Sequence, residues 1–250
     1  MTMTELVHLE VADRVATITL DSEHNRNALS RQLVAELGER LTTAEADDTA
    51  RVIVLRSAHR VFCSGADLSE AAEGAMEEGA QAIIALQRQI ASSAKPVVVV
   101  LGGPVRAGGL GLVGAADIVI AAESVTFSLT EVRLGLAPAV ISVSLLERFS
   151  SRAAADTFLT ARTFTAAEAA TMGLVTRAVP DDSLDETAVG VVAELAEGSP
   201  QGLRETKKLL NAGLLARIDR DGEALARQSA ELFGSDEARE AMLAFLSRKR

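Results

Sequence analysis

Apolar and polar residues alternate in two stretches near the start of the chain. Val7, Leu9 and Val11 form the first, Ala16, Ile18 and Leu20 the second, and Ala12-Asp13-Arg14 lies between them. A period of two belongs to half-buried strands and the polar triplet reads as a turn, so residues 5 to 21 predict a β-hairpin. The period then lengthens. Leu33, Leu37 and Leu41, with Val34 beside them, fall on one helical face, and Ser30 is placed to cap a helix running to about Glu45. Val52–Leu55 predicts a strand. Ile83, Leu86 and Ile90 predict a second helix near 78–92 that Pro96 stops. Val97–Leu101 and Ile118–Ala121 are unbroken apolar runs of the kind found in strands buried on both faces, with the glycine-rich stretch 102–116 between them. Strands alternating with helices predict an α/β core.

From about residue 141 the pattern is mostly helical. Thr165 and Glu168 have the spacing of a capping box, Gly173 ends that helix, and Val175–Val179 is extended. Pro180-Asp181-Asp182 marks a boundary between a core, 1–180, and a helical region, 181–250. The latter reads as four helices, Leu184–Glu197, Pro200–Ala212, Asp219–Phe233 and Asp236–Arg248, with Ser199 and Pro200 as N-cap and first-turn residue. Short helices bury little alone, so these are expected to pack on the core or on a neighbouring subunit.

Composition narrows the function classes. A net charge of −10, with only the short basic end Arg248-Lys249-Arg250, opposes nucleic-acid binding, which needs concentrated positive charge. One cysteine excludes an internal disulfide framework and fits a reducing compartment. The N-terminus lacks the basic and apolar regions of a secretory signal, and the apolar runs fall short of the roughly 20 residues of a membrane span. The expectation is a cytoplasmic protein. His8, His24 and His59 are isolated in sequence and outside metal-ligand spacings, so no metal is expected. Cys63 sits in an apolar context that suits packing better than nucleophilic chemistry.

Three segments carry candidate chemistry: Val61-Phe62-Cys63-Ser64-Gly65-Ala66-Asp67-Leu68, the run from Gly102 to Leu112, and Phe127-Ser128-Leu129-Thr130-Glu131-Val132-Arg133-Leu134-Gly135. Gly108-Gly109 at a helix start leaves outward-facing N–H donors at the positive end of a helix dipole, where an anion or developing oxyanion is stabilised. The Lys-Ser/Thr of a phosphate-binding loop and the order of a dinucleotide fingerprint are both missing. Close helix packing is the alternative use of these glycines. Glu131 in an apolar neighbourhood would have a raised pKa suited to proton transfer, whereas a solvated Glu131 paired with Arg133 would do nothing.

Together these segments resemble the enoyl-CoA hydratase/isomerase (crotonase) family, over essentially the whole chain and in order. Phe-Cys-Ser-Gly-Ala-Asp-Leu, Ala-Gly-Gly-Leu-Gly-Leu followed by Ala-Asp-Ile-Val-Ile-Ala, and Phe-Ser-Leu-Thr-Glu-Val-Arg-Leu-Gly-Leu carry the match. Asn27-Ala28-Leu29-Ser30 and Ala170-Thr171-Met172-Gly173-Leu174-Val175 support it. The resemblance implies a crotonase-type spiral of β-β-α units with a C-terminal helical trimerisation region, assembled as a homotrimer or dimer of trimers. It implies an acyl-CoA thioester substrate, with coenzyme A part of that substrate and no separate cofactor. The thioester carbonyl would sit between the N–H groups of Ala66 and Gly108, with Glu131 as proton carrier. His24, Arg26, Ala28, Ser64, Ala66, Asp67 and Leu68 would hold coenzyme A, and basic residues near the C-terminus could meet its phosphates. Arg106 could face those phosphates or a carboxylate of the substrate, and Asp67 could brace its loop.

The family's two-carboxylate hydratases carry a first glutamate where this chain has Gly111. Isomerases of the family keep only the second glutamate. The stretch Ser128–Ser142 is similar to bacterial methylglutaconyl-CoA hydratases of leucine breakdown. The resemblance therefore implies a 2-enoyl-CoA hydratase, with an enoyl-CoA isomerase and a non-catalytic acyl-CoA binder as alternatives.

Overall fold

A computed structural model describes residues 4–67, 70 and 76–247. The alternating stretches form the expected hairpin: β1 (Val7–Ala12) pairs antiparallel with β2 (Val15–Leu20), Val7 opposite Leu20. Asp13 and Arg14 both have positive φ, 48° and 66°, the tight two-residue turn that matches strand twist. Ala16, Ile18 and Leu20 are fully buried. Helix α1 (Arg31–Ala46) starts where the Ser30 hydroxyl accepts from Leu33 N at 3.3 Å, and it buries Leu33, Leu37 and Leu41.

Strand β3 (Val52–Ser57) joins β2 in parallel, and helix α2 (Met76–Ser92) crosses to β4 (Val97–Leu101), all five residues of which are buried. From there the chain alternates between two sheets. The two-residue β5 (Val105–Arg106) and β7 (Thr126–Ser128) belong to a small sheet, while α3 (Gly109–Ala115) returns the chain to the large one at β6 (Ile118–Ala122). Helices α4 (Ala139–Arg148) and α5 (Ser151–Thr160) follow. Then β8 (Phe164–Thr165) completes the small sheet, in the order β5-β7-β8, and α6 (Ala166–Met172) carries the chain to β9 (Arg177–Val179). The large sheet has the order β1-β2-β3-β4-β6-β9, parallel apart from the hairpin. Phe127 and Phe164 stack at 5.4 Å between centroids beneath the small sheet. The Thr165–Glu168 capping box is formed, with Gly173 in the left-handed region closing α6.

The C-terminal region differs from expectation in one respect. After α7 (Leu184–Ala196), the segments expected as two helices, Pro200–Ala212 and Asp219–Phe233, are one helix, α8 (Pro200–Phe233), of 34 residues. Its buried stripe, Lys207, Asn211, Leu214, Ile218, Gly222, Ala226 and Ser229, keeps helical spacing through Gly213 and packs on α2 and α4. Burial along that stripe offsets the roughly 1 kcal/mol that an interior glycine costs. A buried polar cluster fastens α8 to the core: Asp117 pairs with Lys207 at 2.8 Å and accepts from Asn211 Nδ2 at 2.8 Å. Helix α9 (Asp236–Ser247) sets the fully buried Ala238 against Leu134 and Leu136. Among the described residues no helix is long and apolar enough to cross a membrane.

Candidate active site

Three loops are laced together by their own backbone. Leu29 N donates to Gly65 O at 2.8 Å and Ser64 N to Arg26 O at 3.1 Å, joining the segment before α1 to the segment after β3. Phe62 N to Pro104 O at 3.1 Å and Arg106 N to Cys63 O at 2.9 Å join the latter to β5. Asn27, fully buried, fixes the first loop. Its Oδ1 accepts from Ser22 N, and its Nδ2 donates to Ser57 Oγ and to the carbonyls of Val61 and Phe62. Such a half-buried network holds its loop in one geometry.

The lacing brings Ala66 and Gly108 together. Gly65 has φ +98°, and a Cβ there would lie 2.8 Å from Ala107 Cβ, so only glycine lets the two loops approach. A Cβ built on Gly108 would lie 3.5 Å from Ala66 N. Ala107 N is engaged by Ser128 O, but neither Ala66 N–H nor Gly108 N–H has an acceptor among the described residues. Both residues line one cavity of about 600 Å³.

Glu131 lines the same cavity, at the first position of the 3₁₀ turn Glu131–Leu134 that follows β7. The residue as a whole is part-exposed, yet Oε2 is fully buried and has no hydrogen-bond partner among the described residues. Burial pushes its carboxyl up to about 7, opposed only by its own backbone N–H. Arg133 does not pair with it; that guanidinium is exposed, 3.5 Å from Thr160 O. Two residues with free backbone amides among the described residues and one buried carboxyl thus line a common space. Such an arrangement is chemically able to polarise a carbonyl and to move a proton on the adjacent carbons.

Of the other residues expected to hold coenzyme A, Arg26, Ala28, Ser64 and Asp67 line this cavity. The Ser64 hydroxyl donates to Asn25 O at 2.9 Å, and Asp67 accepts from Asn25 Nδ2 at 3.1 Å, so both also brace the loops. His24 does not line it. It borders a separate recess with His8, Asp21 and His59, because the turn Glu23–Asn25 carries its side chain to the other side of the loop. Leu68 and the basic end Arg248-Lys249-Arg250 lie outside the described residues. Arg106 does not line this cavity, and its guanidinium donates to Val105 O, Thr126 O and Thr126 Oγ1. Nor are all the histidines isolated. His8 and His59 converge on the Asp21 carboxylate at 2.8 and 2.6 Å, which holds Asp21 below the usual carboxylate range and raises His8. Cys63 is fully buried against Gly109, its thiol pushed up to about 12 by burial, as suits packing.

A sequence model of the family described as enoyl-CoA hydratase/isomerase matches residues 10–250. The chain belongs to the enoyl-CoA hydratase/isomerase family. A crystal structure of an enoyl-CoA hydratase from Mycobacterium avium is 47% identical, superposes with a TM-score of 0.92, and is covered over 98% of each chain. A Rhodobacter capsulatus protein described as a probable enoyl-CoA hydratase is 35% identical over 97% of this chain and 95% of its own. The 1,2-epoxyphenylacetyl-CoA isomerase of Escherichia coli K12 is 31% identical over 99% and 97%. The alternation between two sheets followed by C-terminal helices is accordingly the crotonase-type fold of this family.

Within the enoyl-CoA hydratase/isomerase site, Gly111 has a neighbour that the sequence did not announce. A Cβ on Gly111 would lie 2.8 Å from Ile141 Cγ2 and 3.0 Å from Gln87 Cδ. Gln87 is fully buried, donating to Val140 O at 3.0 Å and accepting from Ser144 Oγ at 2.7 Å. The space that a Cβ at position 111 would need is occupied. The available signal was a glutamine at position i+4 of the apolar stripe Ile83, Leu86, Ile90.

Proposed function

We propose that this chain adds water across the 2,3 double bond of a 2-enoyl-CoA thioester, with coenzyme A as part of the substrate and no separate cofactor. The observation that carries this reading is a buried carboxyl, Glu131, sharing one cavity with two amides, Ala66 N–H and Gly108 N–H, that have no acceptor among the described residues. The thioester oxygen would accept from both amides, drawing electrons from the double bond and leaving the β carbon electrophilic. Water attacks that carbon as Glu131 takes its proton. The resulting enolate is held by the two amides until the Glu131 carboxyl returns the proton to the α carbon. Each such donor contributes about 3 to 4 kcal/mol, and a carboxyl titrating at about 7 can both take and give a proton near neutrality.

The reading extends to fatty-acid or branched-chain (leucine) breakdown as the metabolic setting, to a cytoplasmic location, and to assembly as a homotrimer or dimer of trimers. A second reading, an enoyl-CoA isomerase, is favoured by one observation: Gln87 and Ile141 occupy the space beside Gly111, leaving Glu131 as the buried carboxylate of the cavity among the described residues. Moving a double bond needs only one base, which removes a proton from the α carbon and returns it to the γ carbon.

Ultraviolet absorbance of the conjugated enoyl thioester separates the readings. Hydration of crotonyl-CoA removes it, isomerisation of a 3-enoyl-CoA creates it, and a binder changes neither. Glu131→Gln should lower turnover by about 10²- to 10⁴-fold. Turnover within about threefold of wild type on every enoyl-CoA tried would remove Glu131 from the chemistry, because general acid–base catalysis is worth far more than that.

A further inference from the structure

We infer that Gln87 and Ser144 are positioning residues for the reaction: hydrogen-bonded to each other behind the cavity, they set the separation between the Gly108 amide and the Glu131 carboxyl. This rests on the acyl-CoA reading above and adds the part of the fold that keeps the donor and the proton carrier in place.

The two reacting groups belong to different elements. Gly108 is the N-cap of α3, and Glu131 opens the 3₁₀ turn that leads through Gly135 and Pro138 into α4. Their spacing is therefore set by how α3 meets α4. Two glycines on one face of α3 make that meeting close. A Cβ on Gly111 would lie 2.8 Å from Ile141 Cγ2, and one on Gly114 would lie 2.8 Å from Ser144 Oγ. Bare backbone lets helices approach but offers few side-chain ridges to fix their register.

The Gln87–Ser144 pair supplies that register. Ser144 Oγ donates to Gln87 Oε1 at 2.7 Å and lies 3.3 Å from Gly111 O, so α4 is tied to α2 directly over the backbone of α3. Gln87 Nε2 donates to Val140 O at 3.0 Å, and because that carbonyl can only accept, the amide has one orientation. Val140 lines the cavity with Ala139 and Ile141, whereas neither Gln87 nor Ser144 does. One turn further along α4, Arg148 donates to Gly114 O at 2.9 Å and to Ala116 O at 3.0 Å, holding the other end of α3.

Methionine and alanine would fill the same two places with no polar atom to satisfy, and replacing both partners of a buried hydrogen bond by apolar groups of similar shape can be nearly neutral for stability. What the polar pair adds is direction, since a satisfied buried network holds its members in one arrangement. Direction matters here because a displacement of about 1 Å between reacting groups can cost about 10²-fold in rate.

The test uses the full chain as wild type, Ser144→Ala and Gln87→Met. Turnover is followed with crotonyl-CoA, or with 3-hexenoyl-CoA if wild type isomerises; affinity and stoichiometry are measured calorimetrically with butanoyl-CoA, which cannot react. Infrared difference spectra report the thioester carbonyl band of the bound butanoyl-CoA. Each variant should lose about tenfold or more in kcat while the butanoyl-CoA Kd stays within about threefold, and the bound carbonyl band should return toward its free-solution frequency as the amide loses alignment. Ser144→Ala, the smaller change, carries the test alone if Gln87→Met does not fold. A kcat per bound site within about twofold of wild type, in variants with wild-type circular dichroism, overturns the inference. A loss of activity matched by an equal loss of butanoyl-CoA stoichiometry overturns it as well, since that is the mark of a pair that only keeps the chain folded. Wild type that binds no butanoyl-CoA, or turns over neither enoyl thioester, overturns instead the reading on which the inference rests.

Discussion

Two positions, Glu131 in the cavity lining and Gly111 packed behind it, invite comparison. On the β7 side, Glu131 keeps a carboxyl whose Oε2 is buried and unpartnered, at a cost to stability. On the α3 side, Gly111 has no side chain, and Gln87 and Ile141 fill the space a side chain would need. Burial is common to both; what differs is what the structure does with it. At 111 the polar groups nearby are satisfied and the packing is closed. At 131 a buried polar atom is left without a partner among the described residues. A group retained against its folding cost points to chemistry, whereas a glycine fitted between two side chains points to packing.

The largest break in this comparison comes from pH. Burial raises the Glu131 carboxyl from 4.5 to about 7 in the folded chain, so the folded state binds a proton that the unfolded state has already lost. The favourable protonated form is fully present below pH 4.5, and its contribution is lost as pH rises through about 7. Glu131→Gln has no such term. Chemical denaturation of both proteins should show wild type losing stability relative to the variant between those limits, by on the order of 3 kcal/mol. Parallel curves across that range would mean that the carboxyl is solvated.

The next effect belongs to the other position. Gly111→Ala places a methyl group 2.8 Å from Ile141 Cγ2, which should cost about 1 to 3 kcal/mol by overpacking. Adding Ile141→Ala removes the crowding Cγ2, so the combined loss in thermal melts should fall short of the sum of the two single losses. A neutral Gly111→Ala would show the α3 side to be loosely packed, and the asymmetry between the two positions would weaken.

What was legible in sequence follows the same division between local and distant causes. The hairpin, the Ser30 cap and the Thr165–Glu168 box depend on neighbours within a few residues, and each formed as its spacing predicted. The small sheet β5-β7-β8 was not visible, because strands of two or three residues carry no period. Helix α8 was read as two, since Gly213 looks like a break until α2 and α4 are packed against the stripe that runs past it. In the site, Glu131, Ala66 and Gly108 came from motifs and meet in one cavity. Gln87 did not, because its partners Val140 and Ser144 lie more than fifty residues away. The turn that sends His24 into a different recess was equally hidden, since it depends on Arg26 and Asn27 both adopting positive φ.

The smallest effect bears on the reading in which Glu131 would be an idle surface ion pair. Arg133 is two residues away and carries the right charge, so sequence alone offers it as the partner. In the fold its guanidinium lies 3.5 Å from Thr160 O, and the causes of the raised Glu131 pKa are burial and a backbone N–H, with no contribution from Arg133. Arg133→Ala should therefore change stability by less than about 0.5 kcal/mol, as for other exposed substitutions. It should also leave the pH midpoint of turnover near 7, where Glu131 titrates. A partner's removal would instead take away a favourable charge and move that midpoint upward, because an adjacent cation favours the ionised carboxylate. The measurement is a pH–rate profile of both proteins, and an upward displacement in Arg133→Ala would return Glu131 to the ion-pair reading.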